Sequence, residues 1–344
     1  MLVPGPYVLA EKMKEEDTLT ISLLGDCSIG DAYRVQTYEE SYATAVDVHG
    51  VAWPFSLVRE YLDADDLTVA NLEVVFTTKK RQADKRTNLV AKPKYAQVLL
   101  YSGINVLNTA NNHSYDFYKA GFLESMETLD SIGMPYFGSP DPGADGVEDK
   151  LLVLEVKGVK LGFVGFTYPD GSDLPRLAER ISRLRAEGCD LVIASLHWGR
   201  ELQRYPGSGQ PGYARQVLEA GADVVYGHHP HILQPVQFYN GKPVFYSLGN
   251  FSFGAIGTSD RETGIFQLRY RVTKEGPVLE NFSVIPCRYY GSEDYRPYAV
   301  TEDQLRQSVF KRLMWKRETD GMQNLPASFA KTGSVDFANG EMLP

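Results

Sequence analysis

Cysteine is scarce in this chain: three residues among 344, Cys27, Cys189 and Cys287, with no CxxC pair. That spacing excludes a disulfide framework and a cysteine-based zinc site, leaving three free thiols. Positive charge is also in deficit, with 35 Lys and Arg against 44 Asp and Glu and a net charge of −9. Broad nucleic-acid binding rests on clustered basic residues, so no nucleic-acid partner is expected. A bound cation can still supply positive charge locally to an anionic substrate. No window approaches the roughly 18 apolar residues that a spanning helix needs. The opening MLVPGPYVLAEKMKEEDTLT has neither a basic n-region nor a long apolar stretch, so no secretory leader is read there. The expected location is the cytoplasm, with no direct membrane anchor. A GxxxxGK[ST] phosphate loop is missing too, as are internal repeats and low-complexity segments.

What is present is an ordinary globular composition, 43% hydrophobic and 23% charged, sufficient for a sizeable core. The length fits one large domain or two. Apolar, strand-like runs alternate with amphipathic, helix-like ones. TLTISLLGD predicts a strand ending on Asp26, DDLTVANLE one ending near Asn71 and Glu73, and NVLNTANNH one running into a polar loop. DLVIASLHWG predicts a strand ending at His197, and DVVYGHHPH one ending in a histidine cluster. Helices are expected over WPFSLVREYLDADD, PKYAQVLLYSGI, GFLESMETLDSIG, SDLPRLAERISRLRAEGC, YARQVLEAGA and TEDQLRQSVFKRLMWKRE. Hairpins are expected at Lys157-Gly158 and Asn240-Gly241. The stretch 138–150 reads as a surface excursion and the residues from about 320 onward as loosely structured. Strand–helix alternation implies a layered α/β fold, and the hairpins imply mixed sheets.

Metal-competent side chains lie at the carboxyl ends of five of these strands: Asp26; Asn71 with Glu73; Asn111-Asn112-His113; His197; and His228-His229-Pro230-His231. Ligands gather at the carboxyl ends of strands in open α/β sheets, so these segments can converge. Singly, each has a bland reading: a helix cap for Asp26, an Asn-rich turn at 111–112, a core histidine for His197. Five of the six histidines at such ends are harder to explain that way. His229 and His231, two residues apart in extended backbone, would face one side and reach ions about 3.5–4 Å apart, with Pro230 stiffening the spacing. His228 would point away. His113, held by Asp116, suits a proton donor or oxyanion partner. His49 lies in a loop and takes no role.

In order, GD at 25–26, DLTVANLE at 66–73, TANNHSYD at 109–116, SLHWGRE at 195–201, GHHPHILQP at 227–235 and YSLGNFSFG at 246–254 resemble the six blocks of the CapA-type poly-γ-glutamate (capsule) biosynthesis family. That family is itself similar to the calcineurin-like metallophosphoesterases. The resemblance implies a four-layer sandwich of two mixed β-sheets flanked by helices. It implies an N-terminal extension over 1–19, the CapA-type domain over 20–295 and a C-terminal helix and tail over 296–344. It implies one or two divalent ions (manganese, zinc, magnesium or iron), with Asp26, His231 and the Asn71/Glu73 pair framing one and Asn112, His197 and His229 the other. Arg200 and Glu201 would stand at the mouth and hold substrate. Two positions depart from the phosphoesterase pattern: Ser28 replaces a histidine, and Asn71 a bridging aspartate, which weakens one metal position.

The leading expectation is metal-assisted hydrolysis of a phosphoester or a γ-glutamyl-type amide, in poly-γ-glutamate or related glutamyl-amide metabolism. The substrate would be a small molecule or a polyglutamyl chain. One alternative is partnership with an amide-forming ligase, since ATP-driven activation would need another protein. A second is a non-catalytic binding or assembly subunit.

Overall fold

The computed structural model describes residues 8–9, 18–140, 147, 150–168, 171–254, 260–289, 294–317, 319, 321–338 and 340–344. The first apolar run forms β1 (Thr18–Ser28), two residues longer than expected, so Asp26 lies inside the strand. After α1 (Tyr42–His49) come β2 (Leu67–Leu72) and β3 (Val106–Asn108), then α2 (Tyr118–Ser131) and β4 (Tyr136–Phe137). β1, β2, β3 and β4 are successive parallel neighbours. The hairpin β5 (Leu152–Val156) and β6 (Val159–Thr167) opens a second sheet, joined by α3 (Leu174–Ala186), β7 (Leu191–His197), α4 (Gln210–Glu219) and β8 (Val224–His228). β6, β7 and β8 are parallel, and β8 pairs in parallel with β10 (Lys242–Phe245), whose hairpin mate is β9 (Val236–Tyr239). The chain then returns to the first sheet through β11 (Asn250–Phe253), which lies parallel to β1, and the long hairpin β12 (Glu262–Thr273) and β13 (Gly276–Tyr289). Both sheets are therefore mixed, with ten and eight strands among the described residues.

Alternation along the strands sets the layers. Ile21, Leu23 and Val69 of one sheet meet Ile193, Val224 and Tyr226 of the other in a shared core. Their neighbours Leu24 and Ala70 face the α1 side with Tyr42 and Val46. Val192, Ala194 and Val225 face α3 and α4 through Leu177, Ile181 and Val217. Successive side chains on a strand point to opposite faces, so each sheet is covered twice, giving the expected four-layer sandwich. The two tight turns follow their dipeptides: Lys157-Gly158 and Asn240-Gly241 all have positive φ, as a primed hairpin turn demands. No helix of the described residues is long and apolar enough to cross a membrane.

The expectation of a loose end after residue 320 is overturned. Following α5 (Asp303–Leu313), β14 (Gln323–Asn324) pairs with β9 and β15 (Ser334–Ala338) pairs with β13. Phe329, Val335 and Phe337 lie in the inter-sheet core. These strands are too short to carry a visible periodicity, which is why they read as coil. Most of the 138–150 excursion lies outside the described residues.

Candidate metal centre

Parallel register is what assembles the site. Asp26 of β1 is paired with Asn71 of β2, and Asn71 with Asn108 of β3. In the other sheet Thr167, His197 and His228 form the matching row. The two rows meet: His228 Nδ1 lies 2.9 Å from Asp26 Oδ1, both side chains fully buried. Gly165 of β6 makes room for this closeness, since a Cβ there would stand 2.3 Å from Asn108 Oδ1. All five strand-end segments read from the sequence converge at this edge.

Two buried carboxylates and one imidazole form the centre. His231 Nδ1 is 3.3 Å from Asp26 Oδ2 and its Nε2 is 3.8 Å from Glu73 Oε1. Burial and then the negative charge of Asp26 push Glu73 well above the usual carboxylate range. Burial would raise Asp26 as well, but the imidazoles of His228 and His231 outweigh it and hold Asp26 well below. For His231, burial works downward and the two carboxylates win, raising it to about 10. The backbone differs from the expected extended segment: His229 and His231 have φ of 94° and 58°. Their rings are brought together by a left-handed turn around Pro230, not by strand alternation. Positive φ at two non-glycine residues is strain that clusters at functional sites.

A second group adjoins the first. The rings of His197 and His229 are 5.0 Å apart, and those of His229 and His231 5.9 Å. Burial drives His197 well below its ordinary value, and burial followed by the charge of His231 takes His229 to about 4. Both are therefore neutral imidazoles, the form that ligates metal. Glu201, expected at the mouth as a substrate contact, has a carboxylate oxygen within 4.8 Å of ligand nitrogens of His229 and His231. Arg200 beside it is exposed.

His113 Nδ1 is 2.7 Å from Asp116 Oδ2, as the sequence predicts, and its Nε2 is 3.7 Å from Glu73 Oε1. Asp116 is fully buried; it accepts from the Leu89 backbone N–H and pairs with Lys85. Burial lowers His113 despite the opposing charge of Asp116. Asn111 is a turn residue: it donates to Leu72 O at 2.8 Å and accepts from the His113 N–H at 3.1 Å.

Asn71, expected to help frame one ion, lies against the two carboxylates. Asn71 donates through Nδ2 to Asp26 Oδ1 at 2.9 Å, while its Oδ1 accepts from Asn108 at 2.9 Å and Asn111 at 3.3 Å. The face it turns to the carboxylates carries hydrogens and its oxygen faces Asn108 and Asn111, an arrangement that steadies Asp26. Four residues escaped sequence reasoning. Asn250 Oδ1 sits 2.9 Å from His231 Nδ1, and the SLGNF segment that contains it was the available signal. His228 reaches Asp26 where it was expected to point away. Lys85 bonds the Asn112 carbonyl oxygen at 2.9 Å. Tyr168 lies with its hydroxyl 3.3 Å from His229 Nε2. Lys85 and Tyr168 had no local pattern to mark them. His49 stacks on Trp53, away from this cluster.

The donor set suits a hard or borderline divalent ion. Buried atoms without a hydrogen-bond partner concentrate here: Glu73 Oε1, Asn112 Oδ1, both ring nitrogens of His197 and Nδ1 of His229. Orphaned buried polar atoms are costly, and bound cations would satisfy the carboxylate and amide oxygens and one ring nitrogen of each imidazole.

The family described as "Bacterial capsule synthesis protein PGA_cap" matches residues 20–255. The PGA biosynthesis protein CapA of Bacillus subtilis (strain 168) is 30% identical over 325 residues, covering 89% of this chain and 80% of that protein. The capsule biosynthesis protein CapA of Bacillus anthracis is 27% identical over 341 residues, covering 91% and 79%. Among solved structures, the NAD nucleotidase of Haemophilus influenzae superimposes with a TM-score of 0.46 at 14% identity, covering 89% of this chain and 64% of that one.

Proposed function

Since the chain belongs to the PGA_cap family of bacterial capsule synthesis proteins, we propose that it is a divalent-metal-dependent hydrolase acting on a phosphoester or a γ-glutamyl-type amide in poly-γ-glutamate or related glutamyl-amide metabolism. The observation that carries this reading is the concentration of unpartnered buried donors around two buried carboxylates. Asp26, Glu73 and His231 would hold one ion. His197, His229 and Asn112 would hold a second, with Glu201 closing it from the exposed side. A divalent ion so held supplies Lewis acidity and lowers the pKa of water beside it.

The chain's own groups do the rest. Asp116 accepts from His113 Nδ1 and so fixes the tautomer that leaves Nε2 directed at the centre. Burial first, and more weakly the Lys85 charge paired with Asp116, lowers His113, so its Nε2 rests as an acceptor that would take a proton and then return it to a leaving oxygen or nitrogen. Asn71 holds Asp26 in place through its amide hydrogens. Tyr168, pushed up to about 12 by burial and then by the charges of Glu73 and Glu201, stays protonated as a neutral donor at the rim. Substrate would be a small molecule or a polyglutamyl chain, with a biosynthetic partner protein as a further proposal.

Elemental analysis of the purified protein, with aryl phosphoester hydrolysis assayed across manganese, zinc, magnesium and iron, tests the reading. Near-stoichiometric metal with metal-dependent turnover is expected. Absence of metal under every loading overturns it. One observation favours a second reading, that of a non-catalytic binding subunit: the amide of Asn71 stands where a bridging carboxylate would strengthen metal binding. Metal retention without turnover of any phosphoester or glutamyl amide would support that reading.

A further inference from the structure

A groove of about 600 Å³ lies away from the strand-end cluster, lined by Tyr205, Lys311, Met314, Trp315, Lys316 and Arg317. Its floor is aromatic. Tyr205 stacks on Trp315 with ring centroids 5.9 Å apart and planes 19° from parallel, and Trp315 is braced from within by Tyr246 at 6.0 Å. Tyr205 remains 51% exposed, with the Arg204 guanidinium over its ring at 5.1 Å. The rim is cationic in a chain whose net charge is −9. Arg312 is spent on Asp260 and Glu262. Lys311, Lys316 and Arg317 are exposed, and among the described residues none has a carboxylate partner.

The groove is also tied to the metal centre by a short piece of backbone. Glu201, whose carboxylate approaches His229 and His231, is four residues before Tyr205, so the two backbones are at most about 14 Å apart. Between them, Leu202 N–H donates to Pro230 O at 2.9 Å, and Arg204 donates to Leu233 O and Lys311 O at 3.3 Å each. Arg204 therefore joins the loop after β7 both to the histidine segment and to the end of α5.

We propose that this groove is a subsite for an extended polycarboxylate, a polyglutamyl chain whose one end reaches the metal centre while its following units lie along the Tyr205–Trp315 ledge under Lys311, Lys316 and Arg317. The proposal rests on the polyglutamyl reading of the substrate given above. The flat rings receive the amide and methylene portions of the chain, and the three unpaired cations meet its regularly spaced carboxylates. A nucleic acid would use the same elements differently, through base stacking. The net charge of −9 opposes either polyanion alike, and the likeness to a PGA biosynthesis protein favours the polycarboxylate.

The test uses the full chain in chelator with fluorescently labelled poly-γ-glutamate, read by anisotropy, against the double variant Lys316→Glu and Arg317→Glu. Wild type is expected to bind, more weakly as salt rises, and the variant to lose at least about tenfold in affinity. Thermal melting and metal-dependent turnover of a small aryl phosphoester are expected to be unchanged in the variant, since neither residue touches the centre. Failure of the wild type to bind, or equal binding by the variant, overturns the subsite. Tighter binding of a single-stranded oligonucleotide than of poly-γ-glutamate overturns it in favour of a nucleic-acid groove. Because binding is measured without metal, loss of the hydrolase reading and loss of the subsite are seen separately.

Discussion

Asn71 donates its side-chain amide to Oδ1 of Asp26 at 2.9 Å, across the register in which the two residues are direct partners on adjacent parallel strands. Asp26 therefore has a neutral donor on one flank and the imidazoles of His228 and His231 on the other. Replacing that donor by a carboxylate, Asn71→Asp, sets a third negative group beside Asp26 and Glu73. The chelator-treated variant is expected to lose on the order of 3 kcal/mol of stability. Added manganese is expected to restore most of it by neutralising the excess charge. Equal melting temperatures for variant and wild type, with and without metal, would remove Asn71 from this electrostatic set.

His229 and Asp26 sit in the two adjoining donor groups. His229→Ala is expected to abolish binding of at least one ion equivalent, and Asp26→Ala to do the same for the other group, as read by elemental analysis after dialysis. Removing one ligand of a divalent site reduces affinity steeply because the remaining donors do not fill the coordination shell. Retention of full metal content by His229→Ala would undo the ligand assignment.

The His113–Asp116 pair should separate binding from chemistry. His113→Asn is expected to keep metal content while lowering kcat about a hundredfold, the usual scale for a lost general acid–base group. Asp116→Asn is expected to lower kcat in the same direction, through loss of the fixed tautomer. An unchanged rate in His113→Asn would place the proton transfer on another group.

Gly165 faces Asn108 where the two sheets meet near the centre. Gly165→Ala puts a methyl 2.3 Å from Asn108 Oδ1, forcing the sheets apart or breaking the Asn108–Asn71 hydrogen bond. A loss of about 1–3 kcal/mol is expected in urea unfolding. A neutral result would show that the strand ends are looser than their hydrogen bonds imply.

Asp31 supplies a pH signature distant from the histidines. Burial pushes its carboxyl up to about 6, against the lowering effect of the backbone N–H groups of Tyr42 and Ala43 at the start of α1. The unfolded value is near 4, so between pH 4 and 6 the folded chain binds this proton more tightly than the unfolded one. Stability from this residue therefore falls as pH rises through that window and is level above it. Relative to wild type, Asp31→Asn is expected to gain about 3 kcal/mol between pH 4 and pH 7 in paired urea titrations. A difference that stays constant with pH would mean that Asp31 titrates at its ordinary value.

Much of the fold was legible because long apolar runs and turn dipeptides act locally. The strands reaching Asp26, Asn71, His197 and His228 and both hairpins follow directly from such runs. The site was legible as a set of residue types at strand ends, since parallel neighbours in register must bring those ends to one edge. Its details were not. Whether Asn71 turns oxygen or hydrogen toward Asp26 depends on Asn108 and Asn111, which reach it from a different strand and loop. The left-handed turn at His229 and His231 runs against their intrinsic preference and is imposed by the surroundings. Lys85 and Tyr168 arrive from segments with no pattern of their own. The closing strands after α5 were missed because two to five residues carry no period.

Those closing strands have a consequence for how the chain comes into being. β14 lies at the outer edge of one sheet and β15 pairs with β13 near the outer edge of the other. During synthesis every metal-competent side chain of the centre is made before either strand exists. A nascent chain can thus carry all its ligands while both sheets still present open edges, the surface through which β proteins stick to one another. In the finished molecule β14 and β15 cover the flanks of β9 and β13 against which they pair.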